Sequence, residues 1–235
     1  MTGLLAFHTA TDVCEVALRT GEGVKTLRER RPRAHAERLV PLALEILDGD
    51  MSFVRGVAVS AGPGSFTGLR IGVSTAKGIA FGRGVPMYAV STLAALALDA
   101  RREHGEHESH IVIPVLRARR EELYIGAYRI DDGDVRALAD DTVVADDALD
   151  QWIAGVTAAD DRILIAGPQA AGIAATAASD RKTLDLSPGA ASVLALSAGR
   201  PDSYIVNDIS SFEPYYCKEF VARTPRTSIF DRLPF

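Results

Sequence analysis

The chain has 235 residues, 47% of them hydrophobic, with a formal net charge of −5. That apolar fraction over that length supports one or two compact domains with a true core. The acidic balance speaks against a protein that grips nucleic acid alone, because such proteins carry a basic footprint. Two cysteines, Cys14 and Cys217, are too few for a disulfide framework and too far apart for a metal-type pair. The start, MTGLLAFHTAT, lacks a basic region and a long apolar stretch, so no signal peptide is expected. No apolar run reaches the ~18–20 residues that span a bilayer, and a soluble cytoplasmic protein is expected.

Residues 3–9 (GLLAFHT) read as a buried strand, and 14–19 and 23–30 alternate as strands do. Residues 34–47 turn helical, with Leu39, Leu42, Ala43 and Ile46 on one stripe and Pro41 predicting a kink. A strand over 56–60 and a helix over 67–82 follow. Residues 86–91 (PMYAVS) read as an extended link to a helix over 92–102. In the second half, strands are expected over 110–116, 122–130 and 135–144. A helix over 146–154, a strand over 162–167 and a small-residue helix over 168–178 complete it.

Both halves thus read as three strands, helix, strand, helix. That order resembles the ribonuclease-H-like unit, doubled as in actin, Hsp70 and the sugar kinases. The expectation is an α/β fold of two such units, over residues 1–102 and 110–200. A polar linker over 102–110 joins them, and 201–235 is left as an irregular C-terminal arm.

The segment GPGSFTG, residues 62–68, sits where a strand gives way to a helix. Gly62, Gly64, Ser65, Thr67 and Gly68 allow two readings. Ser65 or Thr67 can cap the helix, and successive backbone N–H groups there favour an anion. Alternatively, a tight strand-to-helix turn simply needs small residues. No lysine follows Gly68, as a P-loop requires, and the glycine spacing misses the dinucleotide pattern by one residue. Gly68, Gly72, Ala76 and Ala80 then recur every four residues, a low ridge suited to close packing. Their neighbour can be the parent sheet, a partner helix, or both.

Five stretches carry a specific resemblance: LLAFHTAT, PRAHAERLVP, GPGSFTGLRIGVSTAKGIAFG, AVSTLAALA and RARREELYIGAY. They are similar to the TsaB (YeaZ) family, the small, non-catalytic paralogues of TsaD. The resemblance is strong over the first half and thins towards residue 130; FEPYYCKEFVA fits the family ending only loosely. It implies a scaffold that binds and stabilises TsaD for N6-threonylcarbamoyladenosine formation at position 37 of tRNAs reading ANN codons. It also implies a TsaD-like heterodimer partner, a TsaE-like ATPase in a larger complex, tRNA contact only through that complex, and a homodimer in isolation. By position, the partner-binding residues would be His35, Leu39, Leu42 and Ile46 on the first helix. On the second they would be Leu69, Gly72, Val73, Ala76, Ile79 and Ala80. The 62–68 loop would be at most a vestigial anion site, and no cofactor is expected.

The residues agree with a lost active site. ATP-using members of this fold place an aspartate at the end of the first strand, where this chain has His8. A neutral imidazole does not replace a carboxylate for Mg²⁺, which prefers hard oxygen ligands. TsaD-like proteins carry a histidine pair four residues apart, and Thr92 and Leu96 occupy those positions. Arg117 replaces an acid common in the family. No credible nucleophile triad or metal cluster is expected. An actin-like phosphotransferase and a glycoprotease-type peptidase are the alternatives. His104, His107 and His110 read as a solvated linker. Arg28, Arg30, Arg31 and Arg33, with the 117–120 run, read as solvated strand ends or tRNA contacts within a complex. Lys77 is expected to be exposed, His35 at a cap or surface, and Cys14 in the core.

Overall fold

A strand with apolar residues on both faces must be covered on both sides. β1 (Leu4–His8) sends Leu4 and Ala6 into one apolar cluster and Leu5 and Phe7 into another. This two-residue period sets the layering of the molecule. The computed structural model describes residues 2–31, 34–105, 111–119, 121–131, 134–174 and 181–217.

β2 (Val13–Thr20) and β3 (Gly23–Arg30) continue from β1 as antiparallel neighbours. β4 (Gly56–Gly62) and β5 (Met87–Ser91) add on its other side in parallel, giving the order β3-β2-β1-β4-β5. The second sheet uses β6 (Ile111–Arg119), β7 (Glu122–Asp131), β8 (Asp134–Ala145), β9 (Ile163–Ala166) and β10 (Lys182–Leu184). Its order is β10-β9-β6-β7-β8, with the same pattern of antiparallel and parallel pairs. The two-unit α/β architecture read from the sequence is present as two five-stranded sheets of matching topology.

The helices are α1 (His35–Ile46), α2 (Phe66–Arg83), α3 (Thr92–His104), α4 (Leu149–Val156), α5 (Ala170–Ala174), α6 (Ala190–Gly199) and α7 (Pro201–Tyr204). α1 and α2 cover the outer face of the first sheet, and α4 and α5 that of the second. α3 and α6 lie between the sheets and share one apolar cluster with both. Thr92 through Leu98 of α3 are all buried, the signature of a helix enclosed on every side.

This middle layer alters the partition expected at residues 102 and 110. α6 belongs to the second half in sequence yet packs on β1, β2 and β4. α6 has no apolar stripe because it is apolar all round, so periodicity did not reveal it. The stretch 86–91 is not a link; its residues form β5, pairing in parallel with β4. The helix expected over 146–154 starts with a 3₁₀ turn, and the α-helix proper begins at Leu149. Of the helix expected over 168–178, the described part is α5. α1 runs on through Pro41, which is exposed.

Two carboxylates from the first half hold the N-terminus of α6. Glu15 of β2, 3% exposed, accepts from the N–H groups of Ala190 and Ala191 and from Arg28 Nε at 2.6 Å. Asp99 of α3 accepts from the Gly189 N–H at 2.9 Å and the Ser192 hydroxyl at 2.6 Å. Negative charge at a helix N-terminus is favourable, but burial makes the ionised form costly. Burial pushes the Asp99 carboxyl up to about 6 and also raises Glu15, against the lowering effect of their hydrogen bonds. Because Asp99 titrates at about 6 folded and at about 4 unfolded, the folded state holds its proton more tightly. Stability from this group therefore falls as pH rises from about 4 to 6 and levels off above. Urea unfolding of Asp99→Asn should gain on the wild type by about 2 kcal/mol between pH 4.5 and pH 7.5. A pH-independent difference between the two proteins would show that Asp99 does not titrate in this way.

Candidate functional site

The 62–68 loop joins β4 to α2 and faces the hairpin between β1 and β2. Ser65 is the N-cap of α2, and its hydroxyl accepts from the Gly68 N–H at 3.3 Å. Its own N–H donates to the Ala10 carbonyl at 2.7 Å. A Cβ on Gly64 would strike the Ala10 carbonyl, and one on Gly68 the Thr9 carbonyl. One on Gly72 would strike the Thr9 hydroxyl, which donates to the Gly68 carbonyl at 2.7 Å. Gly62 has φ +127° and lies under the Tyr215 carbonyl of the C-terminal arm. The carbonyls of Ala10, Thr9 and Tyr215 thus stand where a side chain at Gly64, Gly68 or Gly62 would be, while residues 64–69 also line the cleft between the halves. Thr67 is exposed and is not the cap.

His8 ends β1 and is fully buried. Its Nε2 pairs with the Thr11 hydroxyl at 3.0 Å, whereas Nδ1 has no partner. Burial, helped by the charges of His35 and Arg28, holds its pKa down at about 3, so the ring is neutral. Glu15 lies opposite His8 in the β1–β2 register but is held by Arg28 and the α6 N-terminus, and a neutral imidazole at this position is a poor ligand for Mg²⁺, which prefers hard oxygens. Thr92 and Leu96, at the positions of the lost histidine pair, are wholly buried in α3. No group of three metal-type side chains occurs among the described residues. His107 and His110 lie outside the described residues.

A cleft of about 1090 Å³ lies between the halves, bordered by Asp12, Pro63, Arg117, Gln169 and Tyr216. Arg117 is committed to Asp146 at 2.6 Å. The basic run on β3 is likewise spent internally. Arg28 pairs with Glu15 at 2.5 Å, Arg31 with Glu37 at 2.8 Å, and Arg30 donates to Ser187 at 2.9 Å. Arg33 and Arg120 lie outside the described residues.

One polar cluster has no sequence signature. Ser91 caps α3, accepting from the N–H groups of Leu93 and Ala94, and its hydroxyl donates to Asp141 at 2.5 Å. Tyr128 donates to the other oxygen of the same carboxylate. Burial raises the pKa of Asp141 and Tyr128. Ser91 belongs to the first half and the other two to the second, so the cluster pins the halves together. Spacings of 37 and 13 residues left no local pattern to read.

The residues expected on the partner face are placed as follows. Leu39, Leu42 and Ile46 of α1 and Leu69, Gly72, Val73, Ala76 and Ala80 of α2 are buried against the first sheet. Ile79 is half-buried at the edge of the same cluster. His35 is buried rather than at the surface, with Nε2 3.3 Å from the Val13 carbonyl. The apolar stripe is thus a core stripe. Lys77, expected to be exposed, is half-buried and donates to the carbonyls of Ser210 and Phe212 at 2.8 and 3.0 Å. Different residues face outward: Val40 and Leu44 on α1, and Thr67, Arg70, Ser74, Gly78 and Phe81 on α2. Phe81 is 84% exposed and Phe53 41%.

Comparison with known proteins places the chain. Residues 26–221 match the family model described as TsaD: tRNA N6-adenosine threonylcarbamoyltransferase. Over 135 residues the chain is 37% identical to the tRNA threonylcarbamoyladenosine biosynthesis protein TsaB of Escherichia coli K12. That match takes in 56% of this chain, and it spans about half the relative's length, 57%. The structure of YeaZ from Pseudomonas aeruginosa superposes with a TM-score of 0.78 at 31% identity, covering 92% of this chain and all of that one. A second Pseudomonas aeruginosa structure, of a protein with similarity to peptidase YEAZ, gives 0.80 at 30% identity, covering 93% and 100%. The chain belongs to the TsaB (YeaZ) family. Among the described residues of this TsaB-family chain, no helix is long and apolar enough to cross a membrane.

Glycines on opposite faces of α2 should respond oppositely to alanine. Gly68→Ala drives a methyl into the Thr9 backbone and should cost about 1–3 kcal/mol by overpacking. At Gly78 the added methyl meets nothing, so Gly78→Ala should gain about 1 kcal/mol of helix propensity. Urea titration of both variants measures the two signs; a stabilising Gly68→Ala would remove the packing account of the loop.

Proposed function

We propose that this chain is a non-catalytic subunit that docks a TsaD-like paralogue through the outer faces of α1 and α2. In that role it supports N6-threonylcarbamoyladenosine formation in tRNA. The observation that carries the reading is the outward surface of α2. Gly78 and Gly82 interrupt a helix where a side chain would meet nothing within 4 Å. Each costs the helix roughly 1 kcal/mol, and no contact inside the chain calls for it. Small residues flanked by exposed Val40, Leu44 and Phe81 suit the close approach of a second helix. The names of the relatives supply the pathway.

Catalysis is assigned to the paralogue. This reading is supported by His8, a buried neutral imidazole at the end of the first strand. The tRNA is reached through the complex, since Arg28, Arg30 and Arg31 are committed to neighbours within the chain. A TsaE-like ATPase would join the same assembly. Without the paralogue, a second copy of the chain would use the same outer face to form a homodimer, and the protein would work in the cytoplasm.

The test is size exclusion with light scattering on the chain mixed with its genome's TsaD-like paralogue. A 1:1 complex is expected without added nucleotide. Phe81→Arg should weaken it about thirtyfold or more while leaving the monomer's melting temperature in place. Separate peaks for the wild-type proteins, or full affinity in Phe81→Arg, would defeat the assignment of this face.

A further inference from the structure

α2 has a third neighbour besides the sheet and α1. Residues 205–217 return from α7 as a strap, beginning with the Val206 N–H donating to the Met87 carbonyl of β5 at 2.9 Å. Asp208 accepts from the Ser210 N–H at 2.9 Å and turns the strap towards α2. Lys77 then donates to the carbonyls of Ser210 and Phe212. Beyond it, the Tyr215 N–H donates to the Ala61 carbonyl at 2.7 Å, over the Cβ-free Gly62. The strap ends with its Tyr216 ring 5.3 Å from the ring of Phe66, at the N-terminal end of α2.

These contacts fix the backbone of the strap and leave three rings partly exposed at the rim of the cleft. Phe66, Tyr216 and Tyr215 are 36%, 39% and 47% exposed. Arg70 joins this patch to the outward ridge of α2. It is exposed in line with Ser74, Gly78 and Phe81, and its guanidinium lies 5.5 Å from the centre of the Phe66 ring. Tyrosine and arginine supply much of the binding energy at protein interfaces, and a tyrosine already held by its backbone loses little freedom on contact.

We infer that the aromatic end of the strap is a second contact region of the partner-docking face, and that Lys77 is the residue that positions it. The inference rests on the reading of α1 and α2 as the docking face, and its occupant is the same TsaD-like paralogue. Continuity through Arg70 is the reason for choosing that occupant: a chain seated along Gly78 and Ser74 runs onto Arg70 and then onto the rings. The partner chemistry that fits is a flat apolar surface with a carboxylate opposite Arg70. Lys77 touches no partner in this account. Its ammonium holds two carbonyls of the strap and so sets where the rings stand.

The experiment titrates the full chain with the paralogue by calorimetry, using wild type, Lys77→Met, Lys77→Arg, Tyr216→Ala and Phe81→Arg, with a thermal melt of each. Lys77→Met and Tyr216→Ala should each weaken binding about tenfold with melts close to wild type. Lys77→Arg, which can still donate to both carbonyls, should recover most of the loss. Amide hydrogen exchange across residues 212–216 should slow when the paralogue binds. This measurement decides the matter even where a variant folds poorly. Loss of binding in Phe81→Arg, with Tyr216→Ala at full affinity and no slowing at 212–216, would overturn the strap and keep the helical face. No binding by the wild type would overturn both.

Discussion

The contact on which the rest of the structure depends is the seating of α2 on the backbone of Thr9 and Ala10. Gly64, Gly68 and Gly72 leave no Cβ between the helix and that hairpin, so helix and hairpin touch backbone to backbone. The Thr9 hydroxyl closes the contact by donating to the Gly68 carbonyl. Glycine within a helix costs roughly 1 kcal/mol, and here burial of the α2 face against Leu5, Phe7, Val57 and Val59 offsets it. Once α2 is seated, its outward ridge, its flank beside α1 and the track of the strap are all determined.

The same contact meets part of the demand at a helix start. A helix N-terminus leaves N–H groups seeking acceptors. In α2 the loop and cap donors go to the Ala10 carbonyl and the Ser65 side chain; in α6 they go to Glu15 and Asp99. Several of these internal acceptors also tie two elements together. Glu15 joins β2 to α6, Asp99 joins α3 to α6, and Asp141 joins β8 to the cap of α3.

Much of this was legible in the sequence, and the remainder was illegible for physical reasons. The stripe of α1 gave an outer element because that helix has one wet face, whereas β2 was read from Glu15 and Arg19 among its apolar residues although both its faces are covered. α6 gave no stripe and β5 looked like a connector, because both are enclosed and an enclosed element has no polar side to mark its period. The GPGSFTG segment gave its position correctly, but the clashing atoms lie at Thr9 and Tyr215, more than fifty and one hundred and fifty residues away. The stripe Leu39, Leu42, Ile46 and the row Gly72, Ala76, Ala80 showed which helix faces are apolar or small. Periodicity does not show what covers such a face, and the parent sheet covers these. The signal behind the proposed outside partner is the reverse one: Gly78 and Phe81, residues at odds with an exposed helix position.

An acidic chain in an RNA-modifying pathway raises a question of charge that the pairings answer. The net charge of −5 counts totals, whereas binding depends on which cations remain uncommitted. On β3, Arg28, Arg30 and Arg31 each serve a partner within the chain, and Arg117 serves Asp146. Drawing Arg28 to a phosphate would leave Glu15, 3% exposed, as a nearly buried carboxylate without its counter-ion. That cost attaches to Arg28, because Arg31 and Glu37 form an exposed pair and Arg30 donates to a hydroxyl. Along α1 and α2 the outward surface is apolar and small, with Arg70 standing over the Phe66 ring, and on the proposed reading a protein partner would recognise it by shape.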